Sequence, residues 1–281
     1  MMETVMGAWW RQSRVLGATG LVWVALSGLT GCATQPGAQG QDMDSISSVS
    51  ASDAEETEVH RRARIRLELA ANYLERGQLE VALNELKQAL AIEPNYADAY
   101  NLRGLIFMRM DDPGLAEDSF RRAAALRPND PDVAHNYGWL LCQQKKFTPA
   151  QEQFQRALAV RNYPARSRTY MALGLCQDAA GHSEQALQSL LKSYELDPAN
   201  PVVAYNLAIL LQRQGDLERA QFYIRRLNNS ELANAQSLWL GIKIERALHN
   251  EVAMRQLGEQ LHKRFPESKE FGAYTREAFN D

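Results

Sequence analysis

One spacing constrains this chain more than any other feature: small residues return every 34 positions over most of its length. Ala82, Ala116 and Ala150 stand 34 apart, and Ala186, Ala220 and Ala253 follow at intervals of 36, 34 and 33. A second class runs Gly104, Gly138, Gly174 and Gly241, with Ala70 and Ala208 standing in at the first and fifth copies. A third, Pro94, Pro128 and Pro198, closes units. Three position classes on nearly one period mean that a single supersecondary unit is stacked six times. The 281 residues therefore build one elongated domain instead of two globular ones.

The stretch from Ala97 to Asp130 shows what the unit is. Two apolar-periodic runs are joined by the breaker Asp111-Asp112-Pro113-Gly114. Small residues at Gly104 and Ala116 let two antiparallel helices approach, and Tyr100, Phe107 and Phe120 fill the space beside them. This pattern resembles the tetratricopeptide repeat, a helix-turn-helix of 34 residues. The resemblance implies an all-α fold, a right-handed superhelix of six repeats with a C-terminal capping helix. The repeats fall at about 63–96, 97–130, 131–166, 167–200, 201–233 and 234–267, within a domain spanning 58–281, and the cap lies in 269–281. Asp130 and Pro131 read as the cap and first residue of a helix, and Gly77 as a helix stop. The amphipathic piece from Lys269 to Phe279 covers an end that would otherwise show its apolar face to water. The turn Arg161–Ser167 is two residues longer than the others; it either alters the angle between repeats or is a tolerated loop insertion.

Ahead of the repeats lies a targeting segment. Arg11 and Arg14 precede an apolar core, Val15 to Leu29, which is short of the ~20 residues that a membrane span needs. The core ends in Leu29-Thr30-Gly31-Cys32, which resembles the bacterial lipobox. That resemblance implies a signal peptide over 1–31, removed before Cys32, and lipidation of Cys32. Two or more acyl chains give stable anchoring. Ala33 and Thr34 do not resemble the aspartate signal that retains lipoproteins at the inner membrane, so the expectation is an outer-membrane lipoprotein facing the periplasm. Residues 32–57, rich in Gln, Gly, Ser, Asp and Glu, bury too little to offset chain entropy and are expected to be a disordered tether. Roughly 25 flexible residues reach about 25–30 Å.

Chemistry leaves little trace. The formal charge of −3 offers no basic stripe for nucleic acid. The histidines His60, His135, His182, His249 and His262 lack metal-ligand spacing, and no Gly-rich phosphate loop follows a strand. The reading is a binding scaffold and not an enzyme, with no metal, cofactor, nucleic acid or small-molecule substrate. Cys142 and Cys176 stand one period apart, late in the first helices of successive repeats. In an oxidising periplasm they are expected to pair if they face each other, the alternative being two small buried thiols.

In a tetratricopeptide superhelix, positions 2, 5, 9 and 12 of each unit usually look inward. Counted here, they are Asp98, Asn101, Leu105 and Met108 in repeat two, and Asp132, His135, Trp139 and Cys142 in repeat three. Repeat four supplies Arg168, Met171 and Leu175; repeat five supplies Val202, Tyr205, Ile209 and Gln212. The expected groove is apolar and aromatic in its middle, with Trp139 as the anchor for a protein partner. Its Lys and Asn content is too low to resemble the carboxylate-clamp repeats.

Lipobox, polar tether, six repeats and terminal helix together resemble the type IV pilus biogenesis lipoproteins, the PilF or PilW family. The stretches His135–Gln144, Asn162–Arg168 and Leu238–Lys243 carry the match, and the long turn and the cysteine register are its most discriminating parts. The resemblance implies a pilotin-like role: binding the type IV pilus secretin and aiding its arrival and multimerisation in the outer membrane. An adaptor for peptidoglycan hydrolases or for outer-membrane protein assembly is the alternative.

Overall fold

The computed structural model describes residues 57–279, and Cys32, the signal segment and nearly all of the tether lie outside them. All regular structure among the described residues is α-helical. Six antiparallel pairs follow one another. They are α1 (Glu58–Glu75) with α2 (Leu79–Ile92), α3 (Ala97–Arg109) with α4 (Pro113–Leu126), and α5 (Pro131–Gln143) with α6 (Phe147–Ala159). Then come α7 (Arg166–Ala179) with α8 (Ser183–Leu196), α9 (Pro201–Arg213) with α10 (Leu217–Asn228), and α11 (Ala235–Ala247) with α12 (Glu251–Arg264). A short α13 (Lys269–Thr275) ends the stack.

Local chemistry starts and stops these helices. Asp130 accepts from the amides of Asp132 and Val133, with Pro131 as first helical residue, and Asn200 repeats the arrangement before Pro201. Asn234 and Ser237 form a reciprocal capping box at the start of α11. Each first helix ends in a left-handed residue: Gly77, Asp111, Lys145, Gly181, Gly215 and His249 all have positive φ. The chain can then reverse at once into the second helix.

The small positions let the two helices of a pair close up. A Cβ on Gly104 would lie 2.6 Å from the Phe120 ring, which fills the space between α3 and α4. Ala82, Ala116, Ala150, Ala186 and Ala220 on the second helices are all fully buried. Each unit buries its apolar face against the next, which is how a solenoid holds together.

The long turn is a packed element. Tyr163, 3% exposed, packs on Ala134 and Ala157, and its hydroxyl donates to Asp132 at 3.0 Å. Arg166 donates to the carbonyl of Leu158 at 2.7 Å, which ties off the end of α6. The extra residues therefore fold back onto repeat three, against α5 and the end of α6.

At the far end, α13 is shorter than the amphipathic run from 269 to 279 suggested. The amide of Ala278 donates to the carbonyl of Ala273, that of Glu277 to Tyr274, and Glu277 adopts φ 54°. This double closure is a Schellman turn, and it stops the helix and sends the chain back toward α11. Phe271, Tyr274 and Phe279 pack on the cluster of Leu238, Ile242 and Leu261.

Candidate functional site: the inner wall

Successive first helices touch, α1 with α3, α3 with α5, α5 with α7, and α9 with α11, whereas no two successive second helices come as close. The stack therefore curves with its first helices inside. Between α7 and α9 the inner wall is at its loosest.

The residues expected along this wall divide by depth. Leu105, Met108, Leu175, Val202, Tyr205 and Ile209 are half-buried, each leaving apolar surface open. Asp98 and Asn101 are half-buried but engaged: Asp98 pairs with Arg127, and Asn101 accepts from Asn136 at 3.1 Å. Asp132 accepts from Arg168 at 3.1 Å as well as from Tyr163, so repeats three and four are joined at the rim.

Trp139, His135 and Met171 depart from expectation. Trp139 is 8% exposed and packs with Phe154, Ala172, Leu173 and the cysteines, so it is a core residue and not a free anchor. Its indole N–H finds no acceptor among the described groups. His135 is buried, with Nδ1 2.9 Å from the Thr169 hydroxyl and its ring edge-on to Phe154. Met171 is buried against the repeat-five cluster. For Trp139 and His135 the reason is that the first helices of repeats three and four are drawn together and cover what lies between them; Met171 is covered from the other side, by repeat five. Cys142 and Cys176 are joined by a disulfide between α5 and α7, with Cα atoms 5.8 Å apart.

Repeat six holds inward residues that the sequence period misplaces. Gly241 falls in the glycine class by spacing, yet the buried set of α9 (Val203, Ala204, Leu207, Ala208, Leu210, Leu211) recurs in α11 as Ser237, Leu238, Gly241, Ile242, Ile244 and Glu245. Ile242, not Gly241, is thus the equivalent of Ala208. The inward positions of α11 become Gln236, Trp239, Lys243 and Arg246. The paired caps Asn200 and Asn234, 34 apart, are the sequence signal that could have set this register.

Behind the wall, Glu245 is fully buried and saturated by Arg225 (2.6 and 3.0 Å), Gln221 (2.9 Å) and Asn250 (3.0 Å). It locks repeat five to repeat six. Tyr205, inside the curve, has its pKa raised by burial and by the charge of Glu270. Among the described residues no group of three metal-capable side chains gathers, and no helix is long and apolar enough to cross a membrane.

What a wall of this kind belongs to is decided by comparison. Tetratricopeptide-repeat models match residues 97–130, 138–201 and 189–222, and a further TPR-repeat model matches 72–111. The type IV pilus assembly protein PilF of Pseudomonas aeruginosa is 31% identical over 257 residues, covering 92% of this chain and 97% of the relative. The chain belongs to the PilF/PilW family. Solved structures agree: one from a functional characterisation of P. aeruginosa PilF superimposes with a TM-score of 0.71 at 30% identity, covering 79% of this chain and all of that one. PilW, described as a widely conserved type IV pilus biogenesis factor, superimposes at 0.69 with 28% identity, covering 76% of this chain and 98% of its own. This family member is a tetratricopeptide superhelix of type IV pilus biogenesis.

Proposed function

We propose that this chain is an outer-membrane lipoprotein that acts as a pilotin for the type IV pilus secretin. The observation that carries the reading is the inner wall itself. Leu105 on α3, Leu175 on α7, and Tyr205 and Ile209 on α9 leave half-buried apolar surface on the inner wall, in a chain whose relatives work in pilus biogenesis. Apolar side chains inside a curved, pre-formed wall bind an extended or helical segment at small ordering cost. Lipid on Cys32 would hold the wall close to the membrane, with the tether over 33–57 letting it reorient. The protein works by grip, gathering secretin subunits at the membrane where they multimerise.

The test uses the full chain in cells. Leu175→Glu combined with Ile209→Glu, both on half-buried surface, should cut secretin binding at least tenfold in a pulldown and deplete heat-resistant secretin multimers from outer-membrane fractions. Normal multimers and twitching motility in a strain lacking the protein altogether would overturn the reading. Cys32→Ser should release the protein from the membrane fraction.

A further inference from the structure

The last described residues of the chain sit where a bound partner would. Phe279 stacks on Trp239 with ring centroids 5.4 Å apart and planes at 20°, and the guanidinium of Arg246 lies 4.0 Å from the Phe279 centroid on the cation–π side. Lys243 adds a second cation, 5.8 Å from the Trp239 ring. Trp239, Lys243 and Arg246 occupy in α11 the inward positions that Tyr205, Ile209 and Gln212 occupy in α9. An aromatic ring is therefore held on the inner wall itself, between an indole and a guanidinium.

The tail and the helix before it are held by different contacts. α13 has only seven residues, and the chain leaves it through Glu277, a non-glycine residue at φ 54°. A left-handed side-chain-bearing residue costs roughly 1–2 kcal/mol, so the reversal that delivers Phe279 is opposed by the backbone. The helix itself is anchored elsewhere: Tyr274 is packed so closely on Gly258 that a Cβ there would fall 2.3 Å from its ring. Phe279 can leave while α13 stays.

We propose that Trp239, Lys243 and Arg246 form a subsite for an aromatic side chain beside a carboxylate on the bound protein segment, and that Phe279 fills it in the free chain as a built-in competitor. The ring prefers the indole and guanidinium faces, and the two cations favour a neighbouring acid, a residue type that the tail itself carries at Glu277. The partner gains the subsite by displacing the tail. This rests on the inner wall being the partner's site, and two probes separate the ideas.

The first probe is a fluorescein-labelled peptide of residues 273–281, AYTREAFND, titrated by polarisation into the full mature chain. The Phe279→Ala chain should bind it at least fivefold more tightly than the unmodified chain. Adding Trp239→Ala, or replacing the peptide's own phenylalanine by alanine, should abolish the gain. Equal binding by both chains, or binding by neither, would overturn the subsite whatever the partner is. The second probe is the purified periplasmic part of the secretin. Phe279→Ala should tighten its binding about three- to tenfold, and Arg246→Ala in that background should reverse the gain. A purely structural role for Phe279 predicts lowered melting temperature with unchanged or weaker secretin binding, and that result would refute competition. Failure of the unmodified and variant chains alike to bind secretin, with the peptide result intact, would count against the pilotin reading while supporting the subsite.

Discussion

Burial, reinforced by the nearby positive charge of Arg168, lowers the pKa of His135 from 6.5 to about 3. The unfolded chain takes up this proton near pH 6.5, whereas the folded chain refuses it until far lower pH. The unfolded state thus binds more protons between these values, and stability rises with pH across the window. The contribution is complete above about pH 6.5 and is lost on acidification, at a limiting slope of about 1.4 kcal/mol per pH unit for one group. Urea unfolding from pH 7 to pH 4 should show a shallower fall for His135→Gln than for the unmodified chain; parallel curves would show that His135 titrates freely. At this scale the sequence was a partial guide. It marked His135 and Trp139 as inward-looking, which their helix positions make them, but depth depends on how closely α5 and α7 approach. Glu245 is harder still. It stands in the position class of Phe107, Leu141, Gln177 and Leu211, mostly apolar, and only Arg225, Gln221 and Asn250 arriving from elsewhere make a buried carboxylate tolerable.

Among the elements, the turns inside each pair obey one rule, a left-handed residue one period from the next, but only Gly77, Gly181 and Gly215 obey it with glycine. Asp111, Lys145 and His249 carry side chains at φ 58°, 61° and 57°. Lys145 has no local side-chain bonding that favours this conformation, so Lys145→Gly should stabilise the fold by about 1 kcal/mol, visible as a higher denaturant midpoint at unchanged slope. Asp111→Gly should gain less, since aspartate tolerates the left-handed region better. Helix number, pairing and the Asp130 cap were readable from periodicity and caps, because these depend on residues within one turn of each other. The premature end of α13 was not, since Glu277 gives no sign of adopting positive φ.

On the scale of the whole molecule, the disulfide between α5 and α7 and the Arg168–Asp132 ion pair concentrate cross-links at the junction of repeats three and four. A solenoid's stability is a sum over units and neighbour interfaces, so a staple at one interface raises the stability of both flanks. Reduction, or Cys142→Ser with Cys176→Ser, should cost about 3 kcal/mol and expose amides of α5 and α7 to hydrogen exchange before those of α10 and α11. Uniform loss of protection along the stack would show that the bridge contributes globally and not at its own junction.

By itself the sequence determined that this protein is a stack of helical pairs, how many there are, and to which family it is akin. Those properties repeat along the chain, and a period is visible wherever it recurs. The tertiary structure alone decided which inward residues stay open, that Trp139 is closed in while Trp239 is not, and that Phe279 comes to rest on it. Accessibility is set by the distance between helices of different repeats, and the disulfide holds α5 and α7 together where Trp139 is covered. No spacing within one repeat encodes that distance.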